Sequence, residues 1–260
     1  MKPRSWLTLH GVLVLLFLYL PIAVIVALSF NESKYGVAWH GFTFKWYRQL
    51  LEHTRIHPYV WNSLIVATVS TFVSTVLGTL LALGLARFRF SGRGGLLFLL
   101  YVPVVIPDVV MGVSLLLFFA WVQRLFGALH LGLTTVILGH VSFQVAYVTL
   151  VVKSRLAGLD PSLDEAAADL GAAGWMRFWR ITFPLIAPGV AAGALLAFTL
   201  SLDDFVITFF TAGPGATTLP VYIFSSVKRG VTPEIHALST LMILITTLAL
   251  IAVQRVQARR

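Results

Sequence analysis

Apolar residues fall in six long runs, and most polar ones sit in the gaps between them. The runs cover about 7–30, 62–86, 96–121, 133–152, 183–211 and 234–253. Each holds 20 or more mostly apolar positions, enough for a helix to cross a ~30 Å hydrocarbon core. The pattern predicts an all-α, polytopic membrane bundle of six transmembrane helices, with 1–260 as a single transmembrane domain. An even number of crossings returns both termini to the same side.

Composition narrows the class. The chain is 58% apolar and only 11% charged, whereas soluble domains carry about 25% charged residues. A water-soluble globule is excluded. Met1-Lys2-Pro3-Arg4 and the apolar run to Phe30 imitate a signal peptide. The run is too long and lacks a small-x-small cleavage site, so an uncleaved first span is expected. The net charge of +9 does not point to nucleic acid, because the 19 Lys and Arg sit between apolar runs rather than on one stripe. Twelve of them fall on one face (Lys2, Arg4, Arg87, Arg89, Arg93, Lys153, Arg155, Arg177, Arg180, Arg255, Arg259 and Arg260) and seven on the other. The positive-inside rule therefore expects both termini in the cytoplasm. With no Cys, disulfides, thiolate metal sites and cysteine nucleophiles are all excluded.

Two loops are long enough to hold structure. The outer segment 31–61 carries Trp39, Trp46, Tyr47, Tyr59 and Trp61, which suits an interfacial helix at headgroup level. The inner segment 153–182 contains a short helix signal. Ser162 and Glu165 have capping-box spacing, and Gly171 supplies a left-handed stop. Leu163, Ala166, Ala167 and Leu170 fall on one narrow face, small enough for another protein to approach closely. Trp175-Met176-Arg177-Phe178-Trp179-Arg180 follows, read either as a lipid anchor or as a docking element.

Glu165-Ala166-Ala167, three residues, Gly171, nine residues and Ile181-Thr182-Phe183-Pro184 resemble the EAA signature of permease subunits of bacterial binding-protein-dependent ABC importers. The one departure is Phe183 where Leu is usual. The resemblance implies a type I importer fold in the bacterial inner membrane, with loop 153–182 as the coupling element. It assigns Asp164, Glu165, Ala166, Ala167, Gly171, Ile181 and Pro184 to contact with an ATPase dimer. It also implies a second, homologous permease and a periplasmic binding protein as partners. A P-loop is missing: of the five lysines only Lys153 precedes a Ser, and Val152 stands where Gly is required. The chain is expected to be no enzyme and to carry no cofactor, with ATP and Mg on the separate ATPase.

Acidic side chains inside a span cost about 2.5–3.5 kcal/mol on insertion scales and are functional candidates by default. Asp108 lies roughly 18 Å from the inner end of the third span, and Asp203 and Asp204 roughly 30 Å along the fifth. Neighbouring helical residues point ~100° apart, so one of the pair is expected to face the pathway. No Lys or Arg sits at helical i±4 from them, which leaves room for a cationic solute as counter-ion. A proton relay would need an intramembrane Glu/His chain, and none is evident.

Leu200-Ser201-Leu202-Asp203-Asp204-Phe205, Thr211-Ala212-Gly213-Pro214, Leu219-Pro220 and Val231-Thr232-Pro233-Glu234 are similar to spermidine/putrescine permease subunits of that family. So is the stretch from Tyr19-Leu20-Pro21 to Tyr47. This likeness implies polyamine import fed by a periplasmic polyamine-binding protein. Trp46 is a candidate cation–π face at the outer mouth, and Ser201 and Tyr222 are candidate hydrogen-bonding lining. Thiamine, ferric iron or phosphonate import by the same machine stays open, as does a proton-coupled carrier. A membrane enzyme built on Asp164 and Glu165 lacks a His or nucleophile beside them. His53 and His57 have zinc-like spacing but no third ligand. Gly189, Gly193 and Ala197 read as a close-packing face, and Pro21, Pro103 and Pro107 as bends.

Overall fold

The computed structural model describes residues 3–33, 38–52, 56–160 and 162–258, with the backbone alone for 3–5, 164, 165, 249, 250 and 252–258. Lys34, His53 and Arg55 lie outside the described residues. No strand occurs among the described residues. The chain divides into two compact units, one of Met1–Pro58 and Tyr222–Leu248, the other of Tyr59–Val221 and Ala249–Arg260.

In the first unit, α1 (Pro3–Leu28) realises the first predicted span. The apolar window of this helix is wholly exposed, the state of a helix whose solvent is lipid or another chain. The outer segment folds back through a bridge between Asn31 and Phe42. Asn31 organises that turn. Its Nδ2 donates to Ala38 O (2.8 Å) and its Oδ1 accepts from His40 N–H (3.0 Å). Phe30, Phe42, Phe44 and Tyr47 pack edge and face around it. The interfacial helix is present as α2 (Lys45–Glu52).

In the second unit, α3 (His57–Arg87) and α6 (Leu133–Ala157) match the second and fourth predicted spans, each with a few added residues. The third span differs. Instead of one helix over 96–121, α4 (Arg93–Val105) stops, Ile106 turns extended (ψ 136°), and α5 (Asp108–Phe126) begins. Pro107 is the cause: it lacks an N–H and its ring drives the preceding residue out of helical geometry. The fifth span also breaks. After α7 (Ser162–Asp169) and α8 (Gly174–Arg177), a π-helical turn over Phe178–Thr182 leads into α9 (Phe183–Asp203), and α10 (Val206–Thr211) follows a kink at Asp204. The remaining helices are α11 (Leu219–Arg229) and α12 (Pro233–Ala258).

Five helical stretches among the described residues are long and apolar enough to cross a membrane, and Arg93–Val105 and Pro233–Leu248 are shorter apolar helices. The latter belongs to α12, whose Pro233–Ala258 backbone contains the whole sixth predicted span. The core lies between α3, α6 and α9, where Ala82, Val148, Val152, Ile186 and Ala197 are buried together. Small residues permit the close approach. A Cβ on Gly78 would lie 2.8 Å from Val148, and one on Gly189 would lie 2.8 Å from Arg155 Cβ. The stripe Gly189, Gly193, Ala197 is therefore packing, as its spacing predicts.

Candidate functional site

The break at Pro107 and the kink at Asp204 bring the intramembrane carboxylates together. Asp108 starts α5 and Asp203 ends α9, and both line one cavity of about 340 Å³ with Asp204, Phe143, Tyr147 and Phe205. Phe143 and Tyr147 are one helical turn apart on α6, so their rings form one wall. The Asp108 and Asp203 side chains are exposed and enter no ion pair among the described residues. None of the described lining residues is Lys or Arg. The site is a polar recess with aromatic walls and a surplus of negative charge.

Asp204 is arranged differently from its neighbour. Its Oδ2 accepts the N–H and the hydroxyl of Thr208, both at 2.8 Å, and its Oδ1 accepts from Ile207 N–H at 3.3 Å. Standing just before Phe205, the N-cap residue of α10, it satisfies free N–H groups of that helix's first turn, with only 10% of its side chain exposed. Ser201, a candidate lining residue, instead points into the helix interface, 5% exposed. Its Oγ lies 2.6 Å from His140 Nδ1.

His140 carries the main correction to the sequence reading. It lies in the fourth span, wholly buried, with Nε2 3.0 Å from Thr208 Oγ1 and 3.2 Å from Asp204 Oδ2. An intramembrane His–Asp pair does exist. With the proton on Nε2, every partner is satisfied. Ser70 donates to Ser201 (3.4 Å), Ser201 donates to Nδ1, and Nε2–H meets Asp204 and Thr208. One turn along α6, Gln144 accepts from Ser74 (3.0 Å) and donates to Ala197 O (3.1 Å). The signal was present as His140 and Gln144 four apart in an apolar run. At one end the network reaches the cavity through Asp204, and at the other it ends on Ser70 of α3, so it ties α3, α6 and the α9–α10 junction together.

On the loop, α7 begins at Ser162, one residue earlier than the capping-box reading requires, since that reading makes Ser162 the N-cap and Leu163 the first helical residue. The observed cap is Asp160, whose Oδ1 accepts Ser162 N–H at 2.9 Å and whose exposed carboxyl is thereby held below its usual range. The side chains of Asp164 and Glu165 lie outside the described residues. Gly171 closes α7 at φ +78°, with Ala172 N–H bonded to Ala167 O (3.0 Å) and Gly171 N–H to Ala168 O (2.9 Å), a Schellman stop. The expected four-residue face divides. Ala167 is 6% exposed inside the chain, whereas Leu163 and Leu170 are 47% and 88% exposed and Ala166 also faces out. The cause is that α7 packs on α8 and the π turn, which uses the Ala167 side of the helix.

Ile181 is half-buried and lines a recess of about 170 Å³ with Arg87, Asp160 and Leu163. Arg87 Nη2 donates to Thr182 Oγ1 (2.8 Å), tying the end of α3 to the π turn. Pro184 is exposed. Trp175, Phe178, Trp179 and Phe183 pack edge-on or tilted in series, with Trp175 74% exposed.

Trp46 and Tyr222 belong to the first unit. Trp46 is not an open cation–π face: it is 5% exposed and its Nε1 donates to Asn31 O at 2.7 Å. The one cation near its ring among the described residues is its neighbour Lys45, 5.5 Å from the ring centre, and the buried ring serves packing rather than an open cation face. Tyr222 is half-buried. No cluster of three metal-ligating side chains occurs among the described residues.

Residues 74–260 match the family of binding-protein-dependent transport system inner membrane components. The chain belongs to this family. It is a multi-pass membrane component of such a transport system, and the resemblance carried by the EAA loop is borne out. Relatives within the family include the putrescine transport system permease protein PotI of Escherichia coli K12, 47% identical over 229 residues, covering 87% of this chain and 82% of PotI. The spermidine/putrescine transport system permease protein PotC of the same strain is 40% identical over 238 residues, covering 92% and 88%. The fold is shared with a bacterial ABC transporter involved in alginate import, at TM-score 0.72 and 18% identity over 98% of this chain and 95% of that one. The MetNI methionine ABC transporter shares it at TM-score 0.61 and 18% identity, over 76% and 92%.

Proposed function

We propose that this permease subunit imports polyamines, putrescine or spermidine, by alternating access. The observation that carries the reading is the cavity lined by Asp108 and Asp203 without a described cationic neighbour. A cargo with several ammonium groups supplies the missing counter-charge, and Phe143, Tyr147 and Phe205 offer ring faces to its methylenes and cations. The names of PotI and PotC support the same cargo class.

In this reading the chain pairs with a second, homologous permease, and a periplasmic polyamine-binding protein delivers the cargo. A separate ATPase dimer binds ATP and Mg and grips loop 153–182, with Glu165, Ala166, Leu170 and the Gly171 turn at the contact. Both termini lie in the cytoplasm, where the twelve basic positions meet the inner headgroups. ATPase closure moves the loop and opens the cavity outward, and ADP release resets it.

The test is reconstitution with ATPase, second permease and binding protein, followed by uptake of labelled spermidine. Uptake should require ATP and survive an uncoupler, and unlabelled putrescine and spermidine should compete while thiamine, ferric iron and phosphonate do not. Asp108→Asn and Asp203→Asn should each lower uptake by about tenfold or more, the scale of a lost hydrogen bond to a charged group. Normal uptake in both variants removes the cavity from the pathway. Competition by thiamine, ferric iron or phosphonate alone reassigns the cargo.

A further inference from the structure

We infer that His140 is a positioning residue for the cargo-facing carboxylate, acting on Asp203 through Asp204. The inference rests on the cation-site reading above. Asp203 is the last residue of α9, Asp204 the kink and Phe205 the residue before α10. The peptide joining the two aspartates is free of helical restraint on its C-terminal side, where Asp204 has ψ 124°. Such a junction is fixed only if something outside the helices holds it.

Two sets of bonds do so. The hydrogen bonds from Ile207 and Thr208 tie Asp204 to α10, and His140 ties it to α6. His140 is itself fixed from the opposite edge of its ring by Ser201, one helical turn before the kink. The imidazole therefore clamps both sides of the α9–α10 junction to one point on α6. The wall residues Phe143 and Tyr147 stand on that same helix, one and two turns further along. The clamp thus sets the Asp203 carboxylate in register with the aromatic wall it shares a cavity with. His140 lines no part of that cavity, so it acts on the cargo only through the Asp203–Asp204 pair it positions.

The two ring nitrogens can be separated by substitution. His140→Gln can place an amide N–H near the Nε2 position and restore the bond to Asp204. His140→Asn reaches only the Nδ1 position, keeping the Ser201 side and losing Asp204. In the reconstituted complex of permeases, ATPase and binding protein, His140→Asn should lower spermidine uptake by about tenfold. Binding-protein-stimulated ATP hydrolysis should stay within about twofold of the parent, because the inner loop is untouched. His140→Gln should recover most of the uptake. In an Asp203→Asn background, His140→Asn should add no further loss, since residues acting in one chain are non-additive.

The inference is overturned if His140→Asn transports normally, if uptake and ATP hydrolysis fall in proportion, or if the two losses multiply. An inability of His140→Gln to outperform His140→Asn overturns it too. If Asp203→Asn and Asp108→Asn both transport at the parental rate, the cation-site reading falls and takes the inference with it, whereas a normal Asp203→Asn beside an impaired Asp108→Asn sinks the inference alone. Impaired uptake in Asp203→Asn with a normal His140→Asn sinks the inference and leaves the reading standing.

Discussion

Replacing Gly171 tests the proposed coupling loop through backbone conformation alone. Gly171 sits at φ +78°, and a Cβ built there would meet no heavy atom within 4 Å. The cost of Gly171→Ala is therefore conformational: about 1–2 kcal/mol for an L residue in the left-handed region. That shifts the closed helix end toward the frayed one by roughly 5–30-fold. The affected bonds are Ala172 N–H to Ala167 O and Gly171 N–H to Ala168 O. Asn visits the left-handed region more readily than Ala, and a β-branched Val least. Uptake by the reconstituted complex at matched permease level should fall in the order Gly, Asn, Ala, Val. Hydrogen-exchange protection over 168–172 should fall in the same order. If Asn is no better than Val, side-chain bulk rather than φ governs the site. Wild-type protection in Gly171→Ala would refute the account of the stop.

Two further perturbations separate close packing from open space. Gly112→Ala brings a Cβ to 2.7 Å from Phe210 Cδ2, between α5 and α10. This overpacking should cost about 1–3 kcal/mol, and adding Phe210→Leu should recover part of it in thermal unfolding in detergent. Gly84 in α3 meets nothing within 4 Å, so Gly84→Ala should raise stability by about 0.5–1 kcal/mol in the same assay. Asp160 supplies a pH arm. Its carboxyl is held below the usual range by Ser162 N–H, so the cap is present at neutral pH and lost as pH falls through the folded-state value. Protection of the Ser162 and Leu163 amides, taken relative to intrinsic exchange at each pH, should fall on acidification, and Asp160→Ala should abolish that dependence.

Much of this protein is legible one segment at a time. A run of 20 apolar residues commits the chain to a helix because lipid offers the backbone no other hydrogen-bond partners. Gly171 announces its own left-handed stop, and Pro107 its break, because the glycine acts on its own dihedrals and the proline on its own and those of the residue before it. The EAA spacing was legible for the same reason, as a local pattern. What stayed hidden depended on residues far apart in the chain. Asp203 and Asp204 are chemically identical in the sequence, and only the placement of Thr208 and His140 binds one to the first turn of α10 and leaves the other facing the cavity. Ala166 and Ala167 divide in the same way, outward and inward, because α8 and the π turn cover one side of α7. Trp46 looked like an interfacial ring until the carbonyl of Asn31 met its N–H. Local dihedral preference and hydrophobic run length were readable from the chain itself; the partner of each polar group was not, because in a membrane bundle that choice is made by whichever helix packs alongside.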